Sequence, residues 1–170
     1  MKLRFLPEYR FPTFDCANAE FLLSIGVKGI VLDVDNTLEP YENPLPTQKV
    51  LDWLEDLKNK GIKAAIVSNN NQERIELFNK DIGLVAYYKA GKPKKKNVLR
   101  ALNDINVAPE DAILMGDQVF TDVLAAHFSG IRAILVPPIK DKRDLFTKFK
   151  RLLEKPILKK YDRINSAKSK

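Results

Sequence analysis

Apolar residues recur along this chain in two styles. Short unbroken runs at Lys28–Asp33, Ala64–Val67, Leu84–Tyr88, Ala112–Met115 and Arg132–Val136 have the length and β-branched content of buried strands. Between them lie stretches whose apolar positions return every three or four residues, the period of a helix with one buried face. Thr47 stands as the cap of such a helix over Gln48–Lys60; Val50, Leu51, Leu54 and Leu57 share its face, and Gly61 stops it. Other helices are expected after the polar turn Ser68-Asn69-Asn70-Asn71 to about Lys80, over residues 93–105 with Pro93 in the first turn, and over roughly Val119–Phe128, ending at Gly130. Asp15 is read as the cap of a short helix through Leu23, with Gly26 near its stop. Residues 1–14 carry Pro7 and Pro12 without periodicity and read as irregular. Residues 38–47 carry Pro40, Pro44 and Pro46 and read as a loop. Strands alternating with helices predict an α/β fold: a Rossmann-like three-layer sandwich around a parallel five-stranded sheet with right-handed crossovers.

Composition narrows the class. Apolar content of 45% and charged content of 30% over 170 residues suit one globular domain. The N-terminal stretch has no continuous apolar run, so it does not read as a signal peptide, and no stretch is long enough to span a membrane. One cysteine, Cys16, excludes an internal disulfide and fits a reducing compartment such as the cytosol. One histidine, His127, argues against a His-based triad or a multi-His metal site. The net charge of +7 is uneven. Residues 140–170 hold 12 Lys and Arg against 4 Asp and Glu, net +8, which leaves residues 1–139 at −1. The near-neutral 1–139 unit makes nucleic acid an improbable partner. The basic helix and tail at 140–170 form a second unit and are the place for an anionic partner.

The polar residues that follow the strands carry the chemistry. Asp33 and Asp35 end the first strand in Gly29-Ile30-Val31-Leu32-Asp33-Val34-Asp35-Asn36-Thr37. Carboxylates at a buried strand end are costly without a cation, although Asp33, Asp35 and Asn36 also suit a plain turn. Ser68, Asn69 and Asn70 follow the second strand, Lys92 the third, and Asp117 and Asp122 the fourth. A parallel sheet brings all these loops to one edge, where open α/β sheets bind ligands. The hard oxygen donors Asp33, Asp35 and Asp117 suit Mg²⁺. Ser68 and the amides after it suit an anion, and Asp122 is placed to orient Asp117 or a metal-bound water. Lys92, Lys94, Lys95 and Lys96 crowd a helix start, where cations oppose the dipole unless an anion sits among them. An exposed basic face accounts for Lys94–Lys96 equally well.

These motifs in this order resemble the haloacid dehalogenase (HAD) superfamily of phosphotransferases over about residues 28–136. They are Asp33-Val34-Asp35-Asn36-Thr37, Ser68, Gly91-Lys92-Pro93, and Gly116-Asp117-Gln118 with Thr121-Asp122. The Ser-Asn-Asn turn, Ala90-Gly91-Lys92-Pro93 and Gly-Asp-Gln-x-x-Thr-Asp look like the YqeG group of subfamily IIIA, a relative of the phosphatidylglycerophosphate phosphatases of mitochondria and plastids. The resemblance implies that Asp33 attacks phosphorus and Asp35 serves as acid and then base. It implies that Mg²⁺ is held by Asp33, Asp117 and the main-chain carbonyl of Asp35. Phosphoryl oxygens would be held by Ser68, Asn69, Lys92 and Thr37, with Asp122 in support.

Members acting on small metabolites often carry an inserted cap. The intervals from Asp33 to Ser68 and from Ser68 to Lys92 have no room for one, so the site is expected to be capless and open to a bulky phosphorylated substrate. In the tail, Leu145, Phe146, Phe149, Leu152 and Leu153 fall on one helical stripe, with Lys142, Arg143, Lys148, Lys150, Arg151 and Lys155 as polar surface. That pattern suits a helix lying on anionic phospholipid, and so a protein peripheral to the inner face of a membrane. A terminal helix packed on the sheet has the same pattern.

Overall fold

The computed structural model describes residues 5–140 and 145–168, apart from the side chains of residues 145–147, 150, 151, 167 and 168. Six strands form one parallel sheet: β1 (Tyr9–Arg10), β2 (Gly29–Leu32), β3 (Lys63–Val67), β4 (Val85–Tyr87), β5 (Ala112–Gly116) and β6 (Arg132–Leu135). Their spatial order is β1-β6-β5-β2-β3-β4. The chain winds outward from β2 through β3 to β4, then returns to the other side of β2 as β5. The order therefore reverses between β2 and β5, where ligands bind in such sheets.

The sixth strand corrects the expected five. Residues 5–14 are not irregular throughout: Tyr9 and Arg10 pair in parallel with Ile134 and Leu135 of β6. The amides of Glu8 and Phe11 extend this pairing to the carbonyls of Ala133 and Leu135. Two residues between prolines carry no alternation to read. What makes them a strand is the unpaired edge of β6.

The helices are α1 (Ala19–Ser24), α2 (Gln48–Asn59), α3 (Gln72–Asn79), α4 (Lys96–Asp104), α5 (Leu124–Phe128) and α6 (Leu145–Lys168). Three differ from expectation at their starts. The cap of α1 is Asn18, whose side chain accepts the Phe21 amide at 2.8 Å; Asp15 lies in a separate 3-10 turn, Phe14–Cys16. Helix α4 begins at Lys96, because a turn closed by the Lys94 amide on the Gly91 carbonyl precedes it. Before α5 the chain makes one π-helical turn, Val119–Val123. Thr47 does precede α2, but its side chain makes no capping bond. Its amide instead donates to Glu39 Oε1, which fastens the proline-rich loop.

Strand alternation sorts the core into two layers. Ile30, Leu32, Ile113 and Met115 face α1, α2 and α3, packing with Leu22, Trp53, Leu57, Ile75 and Phe78. Val31, Ala112 and Leu114 face the other side, packing with Val98, Leu102, Val123 and Ala126. Ile157 and Leu158 of α6 join that second layer. The interval between β2 and β3 holds only a loop and α2, and that between β3 and β4 only a loop and α3. The fold is capless, as expected.

Among the described residues no helix is long and apolar enough to cross a membrane. In the tail, Lys142 and Arg143 lie outside the described residues, as do the side chains of Leu145, Phe146, Lys150 and Arg151.

Candidate active site

The ends of β2 and β5 set the first two carboxylates beside the switch point. The amide of Asp33 continues the sheet pairing by donating to the Met115 carbonyl at 3.0 Å. Asp33 is thus held as rigidly as a strand residue, although it is an acid and buried. Asp117 follows β5 and is buried beside it, and Asp122 comes from the π-helical turn. One carboxylate oxygen from each of Asp33, Asp117 and Asp122 lies within 4.8 Å of the others.

Lys92 enters this cluster from the loop after β4. Its Nζ donates to Asp33 Oδ1 at 2.8 Å and to Asp122 Oδ1 at 2.7 Å, and its side chain is only 2% exposed. Lys94, Lys95 and Lys96 are exposed, so of the four lysines only the first turns inward. Asn69 fixes the Lys92 backbone from both ends: its Oδ1 accepts the Lys92 amide at 2.7 Å, and its Nδ2 donates to the Lys92 carbonyl at 3.1 Å.

Asp122 faces Lys92 with Oδ1 and accepts the Gln118 amide with Oδ2 at 3.0 Å. Its close approach to the backbone explains Gly116. A Cβ at that position would stand 2.2 Å from Asp122 Cγ, so a side chain there would displace the carboxylate.

Three buried carboxylates facing one buried ammonium leave an excess of negative charge. Burial is the main reason that the Asp33 carboxyl is pushed up to about 6; Lys92 opposes the rise, and Asp122 and Asp35 add to it. Burial alone would lower Lys92, but Asp122 and Asp33 outweigh it and hold the ammonium above its ordinary value. A hard divalent cation fits this donor set, since it would relieve the repulsion that the single ammonium leaves.

The remaining predicted residues line or support one cleft. Thr37 is buried, and its Oγ1 donates to Asp33 Oδ2 at 3.3 Å. Ser68 Oγ accepts the Asn70 amide at 3.1 Å, closing a turn at the end of β3. Asp33, Asp35, Asn36, Ser68, Asn69 and Asn70 line a cleft of about 310 Å³ together with Tyr41 and Gln118. Asp35 lies outside the carboxylate cluster. Its side chain is gripped by Arg74, a residue that the strand-end motifs do not include.

The haloacid dehalogenase-like hydrolase family matches residues 34–136 of this chain. A Bacillus subtilis (strain 168) protein described as the probable phosphatase YqeG is 39% identical over 158 residues, covering 93% of this chain and 92% of that protein. Among solved structures, CbbY of Rhodobacter sphaeroides in complex with phosphate superposes with a TM-score of 0.56 at 15% identity, over 71% of this chain and 90% of that one. An uncharacterized protein of Listeria monocytogenes serotype 4b superposes with a TM-score of 0.53 at 20% identity, over 69% and 85%. At these identities the two structures establish the fold alone.

Proposed function

The chain belongs to the haloacid dehalogenase-like hydrolases, and we propose that it is a Mg²⁺-dependent phosphomonoesterase whose substrate is phosphatidylglycerophosphate or a similar lipid phosphate. The observation that carries the reading is Asp33, a buried carboxylate fixed at the switch point, bonded to Lys92 and open to a cleft that Asp35 and Ser68 also line. The YqeG relative is itself described as a probable phosphatase.

In the proposed reaction an Asp33 oxygen forms a bond to phosphorus while the bond from phosphorus to the ester oxygen breaks. Asp35 gives its proton to that departing oxygen. Water then attacks phosphorus, Asp35 takes the proton, and the Asp33 carboxylate leaves with its charge restored. Lys92 and the Ser68 turn offer donors to the phosphoryl oxygens. Asn69 contributes by holding the Lys92 backbone, and Thr37 by orienting Asp33. Asp33, Asp117 and the Asp35 main-chain carbonyl would hold Mg²⁺, which would offset the repulsion between phosphate and carboxylate and polarise a phosphoryl oxygen. Asp122 holds Lys92 in place beside them.

A metal ion held by Asp33 would couple stability to pH. Because the folded Asp33 value lies above the ordinary one, this group favours folding at low pH, and that contribution is lost as pH rises through about 6. A bound divalent ion replaces the lost proton. Saturating Mg²⁺ is expected to raise the melting temperature by about 5 °C or more at pH 7.5, and by much less at pH 5, where protons compete. Thermal melts with Mg²⁺ and with EDTA at both pH values measure this. Equal shifts at the two pH values would speak against ligation by Asp33.

The lipid reading is supported by the missing cap and by α6. Phe149 and Leu152 are 57% and 58% exposed on that helix, with Leu153 beside them and Lys148, Lys155, Lys159 and Lys160 exposed around them. One residue further on, Glu154 is buried and accepts the Val119 amide at 2.8 Å, two positions beyond Asp117. The apolar stripe thus ends close to the edge of the sheet that carries the carboxylates. Beyond it, α6 packs on the core through Ile157 and Leu158. Basic side chains near anionic lipid contribute about 1 kcal/mol each.

The protein is expected to sediment with anionic but not neutral liposomes, less so at high salt, and to show higher kcat/KM on phosphatidylglycerophosphate in micelles than on glycerol phosphate. A preference for the soluble ester would transfer the activity to a small phosphate or a phosphoprotein.

A further inference from the structure

Both oxygens of Asp35 are engaged. Oδ1 accepts the Arg74 Nε–H at 3.1 Å, with Nη2 also 3.1 Å away, and Oδ2 accepts Nδ2 of Asn70 at 2.6 Å. The side chains of Arg74 and Asp35 are 9% and 10% exposed, so this ion pair is not a loose surface contact. Arg74 is fixed from its other side as well. Its Nη1 donates to the Pro44 carbonyl at 2.9 Å, and its Cζ lies 5.4 Å from the centre of the Phe78 ring. The guanidinium therefore ties two points of the loop between β2 and α2, Asp35 and Pro44, to α3.

A carboxylate has about four lone-pair directions. With Oδ1 and Oδ2 each committed on one side, the planar group cannot turn about its terminal torsion. The direction left open toward the cleft is set by Arg74 and Asn70. Lysine could not set it in the same way, because its ammonium is a point charge without the planar group that here reaches Asp35 through Nε and the Pro44 carbonyl through Nη1.

We infer that Arg74 is the positioning residue for Asp35, aiming the carboxyl at the departing ester oxygen, with Asn70 as its second support. The inference rests on Asp35 serving as the proton donor. Arg74 touches neither phosphorus nor the leaving oxygen, and it acts through Asp35 alone.

Leaving-group dependence distinguishes aim from general scaffolding. An alkyl phosphate such as glycerol phosphate needs a proton on its departing oxygen, whereas p-nitrophenyl phosphate releases a stable anion and does not. Arg74→Gln is expected to lower kcat/KM on the alkyl ester by about 10²-fold and on the aryl ester several-fold at most, with Arg74→Lys in between. Asp35→Asn is expected to show the same asymmetry, and Asp35→Asn/Arg74→Gln to be no worse than Asp35→Asn. Equal losses on both esters, or additive losses in the double variant, would overturn the inference. If Arg74→Gln does not fold by circular dichroism, Asn70→Ala releases only Oδ2 and must show the asymmetry in smaller degree; a uniform loss there overturns it too. The two layers separate cleanly. A wild-type chain that cleaves neither ester, or an Asp35→Asn variant without asymmetry, removes the reading of Asp35 and the inference with it. Asymmetry in Asp35→Asn with none in Arg74→Gln removes the Arg74 assignment alone.

Discussion

Asp33→Asn is expected to lower phosphate release by about 10⁴-fold or more while leaving the fold unchanged. Nucleophile replacements of this kind cost enzymes factors of that order. The amide is nearly isosteric with the carboxylate but has no charged oxygen to attack phosphorus. The fold should survive for reasons visible in the site. The Asp33 backbone is held by the sheet through the Met115 carbonyl, which the substitution does not touch. The amide oxygen can still accept from Thr37, and Lys92 keeps Asp122. Loss of one ion pair is offset by removal of a carboxylate that burial disfavours. Melting in EDTA should stay within about 3 °C of wild type. Substantial turnover by a folded Asp33→Asn chain would rule out Asp33 as nucleophile.

Lys92→Met should have the opposite balance, with large effects on stability as well as activity. Methionine fills similar volume without charge. It leaves Asp33, Asp122 and Asp117 buried together without the one ammonium that faces them. Breaking a buried pair by removing one partner typically costs about 3–5 kcal/mol, because the other charge stays uncompensated. Here two carboxylates lose the same partner. The Asp33 carboxyl, already raised, would lose the ammonium that opposes the rise, so the stability it contributes is present at low pH and lost as pH rises. The melting temperature should fall more at pH 8 than at pH 5, Mg²⁺ should recover part of it, and activity should remain undetectable after that recovery. A Lys92→Met chain that melts like wild type at pH 8 would show that the ammonium does not neutralise the cluster.

How far the sequence carried these conclusions follows from how local each signal is. Strands β2 to β6 were legible because their apolar runs are bounded by turn residues, and the parallel order followed from their alternation with helices. Strand β1 was not, since its two residues are a strand only through the free edge of β6. Asp33, Ser68, Lys92 and Asp117 were legible because parallel strands deliver their C-terminal ends to one edge. Lys92 was marked by the cations around a helix start, but only the structure separates it from the exposed Lys94–Lys96. Asp122 read as a partner for Asp117 or for a water; it lies beside Asp117, and its carboxylate also accepts from Lys92 and the Gln118 amide. That pairing joins the loop after β4 to the turn after β5, and no spacing along the chain encodes it. Arg74 left no signal at all. An arginine in the first turn of a polar-faced helix reads as solvated, and its role depends on a loop 30 residues earlier in the chain.

The central claim is that a phosphoryl group passes through Asp33. The most direct measurement is to mix the wild-type chain and Asp33→Asn with a ³²P-labelled phosphate monoester and Mg²⁺, quench in acid within one turnover, and map the label by proteolysis. The account predicts base-labile label on the peptide containing Asp33 in the wild type and none in the variant. Turnover without label, or label that persists in Asp33→Asn, would contradict it.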